Sequence, residues 1–113
     1  MVNAKPIVCV DFDGVLNTYD GWRGEDELFK PRFYAKAFLD LLSEEYYVVI
    51  FTTRNHDKVV EWLDKYDMYY DDVTDIKVGA VAYIDDRAIK FNGLFGETLN
   101  ELRDFKTHWE KEK

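Results

Sequence analysis

The chain has 113 residues, room for one domain (1–113) with a single layered core and not for two. Fifteen Lys and Arg against 23 Asp and Glu give a formal charge of −8, which argues against nucleic acid as a tightly held partner, since such binding runs on cations that neutralise phosphates. An apolar share of 47% excludes a disordered chain, and 17% aromatics let a small core bury much area per residue.

Ile7 to Val10 is a short continuous apolar run ending at Asp11, which predicts a strand buried on both faces. Residues 17–32 hold Asn17, Asp20, Gly21, Gly24 and Pro31 and predict a long loop, of a length that is often functional. From Phe33 to Glu45 the positions Tyr34, Ala37, Phe38, Leu41 and Leu42 follow helical spacing. Tyr47 to Phe51 predicts a second buried strand, running into Thr52-Thr53-Arg54. Asp57 to Tyr66 predicts an amphipathic helix through Val59, Val60, Leu63 and Tyr66.

Met68 to Val73 reads as a short third strand, and Ala80 to Ile84 as a fourth apolar run ending at Asp85-Asp86. Ile89 to Phe91 reads as a further short strand closed by the turn Asn92-Gly93. Thr98 with Glu101 forms a capping-box pattern opening a last helix, with Leu99, Leu102, Phe105 and Trp109 as its stripe and a frayed tail after it. This alternation predicts an α/β fold, a three-layer Rossmann-like sandwich on a mostly parallel central sheet with helices on both faces.

The single cysteine, Cys9, cannot form an intramolecular disulfide and reads as a small buried residue. The residues before Ile7 are too few for a signal peptide's apolar region, and no window approaches a membrane span. The expectation is a cytoplasmic protein with no membrane partner.

Ligands in such folds bind beyond the carboxyl ends of the strands. Three apolar runs end there at Asp11, Thr52 and Asp85, all polar. Asp11 and Asp13 are two apart, so in extended chain they face one side, and Gly14 lets the chain leave the strand. If the strand before Asp85-Asp86 is a neighbour, four carboxylates meet. Four like charges in a partly buried place call for a cation or for protons. A hard, oxygen-seeking ion such as Mg²⁺ is the natural answer. A solvated turn or helix cap is the competing reading for each acidic pair alone. Thr52, Arg54 and Lys77 could meet a substrate anion, and each alone also reads as an ordinary cap or solvated side chain. His56 and His108 lack metal-ligand spacing.

Asp11-Phe12-Asp13-Gly14-Val15-Leu16-Asn17 resembles the first motif of the haloacid dehalogenase superfamily. Thr52 after Val48-Val49-Ile50-Phe51 is similar to its second motif, Lys77 to its third, and Ile84-Asp85-Asp86-Arg87 to its fourth. The order is the family's, and the pattern spans residues 7–91. Asp at both positions of the first motif resembles the phosphatase branch. The resemblance implies that Asp11 is a nucleophile, Asp13 a general acid and base, and Thr52 and Lys77 the holders of the transferring phosphoryl group, with Thr53 and Arg54 beside them on the substrate. It implies Mg²⁺ held by the Asp11 carboxylate, the Asp13 main-chain carbonyl and Asp85 or Asp86, the split between those two being open. Family members often carry a cap domain after the first motif or between the second and third; both gaps here are too short for one. Capless members tend to act on large substrates or to close their sites by oligomerising, so a homo-oligomer or a macromolecular partner is expected, and the 17–32 loop with Tyr19, Trp22 and Phe29 is a candidate flap.

Three functions compete. The first is an Mg²⁺-dependent phosphomonoester hydrolase acting on a phosphorylated small molecule or macromolecule. The second is a catalytically weak metal- and phosphate-binding regulatory or assembly module of the same fold. The third is a phosphoacceptor signalling domain, against which the order of the acidic pair and the Lys argues.

Overall fold

The computed structural model of the chain describes residues 4–105. Its elements are β1 (Ile7–Asp11), α1 (Ala35–Glu45), β2 (Tyr47–Phe51), α2 (His56–Lys65), β3 (Asp72–Thr74), β4 (Ala82–Ile84) and α3 (Phe95–Asp104). The four strands form one sheet in the order β3-β2-β1-β4, and every neighbouring pair is parallel. The molecule is therefore an α/β protein on a parallel sheet, compatible with a Rossmann-like fold.

Period-two alternation in β1 and β2 sends Val8, Val10, Val48 and Ile50 to one face of the sheet. Ala35 and Leu39 of α1 and Val59, Trp62 and Leu63 of α2 meet them there, with Phe12, Leu16 and Met68 closing the core. The edge of Phe12 packs on Trp62 with ring centroids 4.9 Å apart. Both helices share this face because the crossovers β1-α1-β2 and β2-α2-β3 step in the same direction, and a right-handed connection then leaves only one side.

Helices on both faces, expected from the sequence, are not what the described residues form. A helix on the second face would need a helical connection stepping back the other way. The β3-to-β4 connection, residues 75–81, does step back but holds no helix. It covers part of the second face itself. Lys77 shares a cavity wall there with Cys9, Phe51 and Tyr83, and the Tyr83 hydroxyl donates to the Val78 carbonyl. Cys9 and Val49 are buried beneath it. α3 packs against no other helix or strand among the described residues.

β1, β2 and α2 lie where the sequence places them, within a residue. α1 starts at Ala35 because Tyr34 takes a left-handed backbone (φ 70). Its buried residues are Ala35 and Leu39, while Tyr34, Ala37, Phe38 and Leu41 of the expected stripe are exposed. β3 is shorter than Met68–Val73: Met68 turns into the core, and the Asp71 carboxylate accepts from Val48 N at 2.7 Å before pairing begins. β4 spans only Ala82–Ile84 and is an edge strand, so its run is largely exposed rather than buried. Ile89–Phe91 forms no strand.

Thr98 is not a cap. α3 begins three residues earlier, and the Thr98 hydroxyl donates to the Leu94 carbonyl inside the first turn. Asn92 serves that end instead, accepting from Leu94 N and donating to Glu97. Trp109, His108 and the tail lie outside the described residues.

Candidate active site

The chain runs from β1 outward through β2 to β3, then returns to β4 on the other flank of β1. That makes the gap between β1 and β4 the point where the strand order reverses, and the crevice beyond their carboxyl ends is where such sheets bind ligands. Val10 pairs with Ile84, so Asp11 and Asp85 leave the sheet on adjacent strands.

Asp11, Asp85 and Asp86 each bring a side-chain oxygen to within 4.8 Å of the other two. Oδ2 of Asp11 is buried and has no hydrogen-bond partner. Burial, and then the charge of Asp85, pushes Asp11 up to about 7; Arg87 opposes the shift, and Asp86 and Asp13 add to it. Asp85 Oδ1 accepts from Arg87 N at 2.8 Å. Asp86 packs directly against the Gly14 α-carbon.

The Asp13 carboxylate stands outside this group, so three of the expected four carboxylates come together. The chain turns after Phe12 and does not stay extended, which separates the two side chains. Arg54 Nε donates to both Asp13 oxygens, at 3.0 and 2.9 Å, and Asn17 Nδ2 donates to Oδ1 at 2.9 Å. As a side-chain metal ligand, Asp13 therefore does not join the set.

Thr52 is buried, and its hydroxyl accepts from Arg54 N at 3.1 Å. That bond turns the chain so that Arg54 points back to Asp13. The cap of α2 is Asn55, which accepts from Lys58 N, so Thr52 does not serve that helix end. Thr53 lies on the wall of a neighbouring cavity of about 220 Å³ with Asp13, Tyr19, Trp22, Arg54 and Arg87. Lys77 reaches the crevice from the second face. It shares a cavity of about 160 Å³ with Asp11 and sits 4.8 Å above the Tyr83 ring. The Cys9 thiol on that wall is pushed up by burial and then by Asp11, which keeps it a protonated, inert core group.

Two residues matter more than the sequence pattern shows. Asn17 is fully buried; its Oδ1 accepts from Gly14 N and Tyr19 N, while Nδ2 donates to Asp13 and to the Leu28 carbonyl. It ties the turn after β1 to the far end of the 17–32 loop, whose ends also meet at the Asn17–Pro31 bridge. Its place three residues after Gly14 is the one signal for this in the sequence. Arg87 faces the Asp11 charge and the 220 Å³ cavity at once; its position right after the acidic pair is the available signal. A cavity of about 580 Å³ between the loop and α2 shares no residue with the crevice.

The arrangement defines a class: a parallel α/β protein with an acidic cluster and a lysine at the strand-order reversal and a buried threonine at the end of the neighbouring strand. In comparisons with known proteins, no family model, curated protein or solved structure matches the chain.

Proposed function

We propose that the protein is an Mg²⁺-dependent phosphomonoester hydrolase of the haloacid dehalogenase superfamily, working through an aspartyl-phosphate. The observation that carries this reading is the meeting of Asp11, Asp85 and Asp86 beyond β1 and β4, with Lys77 on a cavity wall shared with Asp11. The donor set suits a hard cation: all oxygen, clustered, with a buried Asp11 oxygen that no protein donor satisfies. The Asp11 carboxylate, the Asp13 main-chain carbonyl and Asp85 or Asp86 would hold Mg²⁺, which offsets the repulsion of the carboxylates and that of an anionic phosphate.

In this mechanism one Asp11 oxygen attacks phosphorus, and the bond from phosphorus to the ester oxygen breaks. Asp13 gives its proton to that leaving oxygen. It then takes a proton from the water that attacks the phosphorus of the aspartyl-phosphate and frees Asp11. Asn17 and Arg54 both donate to Oδ1 of Asp13, so Oδ2, with the Arg54 contact alone, is the atom suited to carry the proton. Thr52 and Lys77 hold the transferring phosphoryl oxygens, with the Thr53 and Arg54 segment toward the rest of the substrate.

The same reading makes the protein capless, since the 17–32 and 55–71 segments hold only a loop and α2 with its exit. It places the protein in the cytoplasm; among the described residues no helix is long and apolar enough to cross a membrane. On this reading a second copy or a macromolecular partner covers the crevice. One observation favours the alternative of a catalytically weak binding module: the acid-base residue Asp13 is already engaged in an ion pair with Arg54.

A panel of phosphomonoesters, with and without Mg²⁺ and beside Asp11→Asn, separates the two. Mg²⁺-dependent phosphate release abolished in Asp11→Asn supports the hydrolase. Mg²⁺ binding with no release across the panel supports the module.

A further inference from the structure

The Arg54 side chain is 4% exposed, yet it uses only one of its donor atoms. Nε serves Asp13, while Nη1 and Nη2 are buried without any hydrogen-bond partner. Buried guanidinium donors left without acceptors are costly and uncommon in a native fold. The Trp22 ring lies over this guanidinium at 5.0 Å, which attracts the cation and shields it from water. It offers nothing to the in-plane N–H groups, which need an oxygen. Arg54 and Trp22 line the 220 Å³ cavity with Arg87, Tyr19, Thr53 and Asp13. The cavity thus holds two arginines and one acid, and that acid is already paired.

We propose that Arg54 and Arg87, walled by Trp22, form a subsite for a second oxyanion carried on the leaving group of the substrate. The proposal rests on the hydrolase reading, in which Asp13 protonates the leaving oxygen. Because Asp13 forms one wall of the cavity, the cavity lies on the leaving-group side. The substrate class is then a phosphomonoester whose alcohol bears a carboxylate or a second phosphate. Both present the planar or near-planar pair of oxygens that a guanidinium fork receives. Trp22 sits at the loop tip between Gly21 and Gly24, both at positive φ, and is itself well exposed, so it can yield as the anion enters.

The test compares kcat/KM for three series of matched chain length: n-alkyl phosphates, ω-carboxyalkyl phosphates and α,ω-alkane bisphosphates. At the best-fitting length, wild type should prefer a doubly charged series by about tenfold or more, the worth of a charge-assisted pair. Whichever series wins identifies the oxyanion as carboxylate or phosphate. The preference ratio should fall toward one in Arg54→Lys and in Arg87→Gln, and reading a ratio cancels any rate loss common to all substrates. Hydrolysis of all series with no preference at any length overturns the subsite and leaves the hydrolase standing. A wild-type preference that both variants retain overturns it as well.

If no series is hydrolysed, the hydrolase reading fails instead. Calorimetric titration with ω-carboxyalkyl phosphonates and n-alkyl phosphonates, in Mg²⁺, then decides the subsite alone. Tighter binding of the carboxylated series, lost in Arg54→Lys, sustains it; equal binding of the two overturns it.

Discussion

The Asp86 carboxylate fills the space that a side chain on residue 14 would need. A Cβ at Gly14 would lie 2.2 Å from Asp86 Oδ2 and 2.6 Å from its Cγ. Gly14 also sits at φ +86, a backbone that other residues resist. The two halves of the acidic crevice, one after β1 and one after β4, are thus fitted to each other through a glycine. Gly14→Ala should therefore act on the crevice as well as on stability. The expected outcome is a loss of about 1–3 kcal/mol in chemical denaturation, the range for a strained backbone position. Mg²⁺ affinity, read by calorimetry, should fall with it because Asp86 must move. An unchanged Mg²⁺ affinity would show that Asp86 takes no part in holding the ion.

The raised Asp11 gives a pH dependence with a definite sign. In the fold Asp11 titrates at about 7, against an ordinary value of 3.8, chiefly through burial and then through Asp85. Between those values the folded protein holds a proton that the unfolded chain has released. This group's contribution is therefore complete below about 3.8 and is lost as pH rises through 7. In chelator, the Tm of wild type relative to Asp11→Asn should drop by several degrees from pH 5 to pH 8. Saturating Mg²⁺ at pH 8 should restore wild type and do much less for Asp11→Asn. Parallel pH profiles for the two proteins in chelator would mean that Asp11 is not perturbed.

Much of the fold is legible in the sequence for a simple reason. β1 and β2 are short apolar runs stopped by Asp11 and Thr52, and burial on both sides leaves few other structures for them. The meeting of Asp11 with Asp85 and Asp86 follows once β4 lies beside β1, since parallel strands deliver their carboxyl ends to one edge. What is not legible depends on tertiary partners. Val81 and Tyr83 look like core until β4 proves to be an edge strand with no helix behind it among the described residues. The Asp13–Arg54 pair joins residues 41 apart in the chain, and no local pattern announces it. Reading Asp13 as a fourth carboxylate in the cluster fails on that one contact.

Asn17 is the residue whose loss should be felt furthest. Its amide makes four hydrogen bonds, two to backbone N–H groups, one to a carbonyl and one to Asp13, with no exposure to water. Asn17→Ala strips that partner from Gly14 N and the Leu28 carbonyl and opens a small void. A loss of about 2–4 kcal/mol in denaturant, with unchanged m, is expected for a broken buried network. Asn17→Asp keeps the shape but sets an acceptor against both the Leu28 carbonyl and Asp13. It should therefore be no more stable than Asn17→Ala at pH 8 and should recover as the pH falls. If Asn17→Asp matches wild type at pH 8, the two Nδ2 bonds carry no weight.

Among the described residues, large apolar side chains stay uncovered in two places. Phe95, Leu99 and Leu102 form an exposed stripe on α3, and Tyr47 on β2, Val81 before β4 and Tyr83 on β4 are exposed as well. The prediction is that a second copy covers both surfaces, α3 of each protomer against the other's sheet. The expected solution state is a dimer by sedimentation equilibrium at micromolar concentration. Leu99→Glu combined with Leu102→Glu should shift it to monomer while retaining the far-ultraviolet signature of the fold. A wild-type protein that sediments as a monomer throughout that range would reject the pairing.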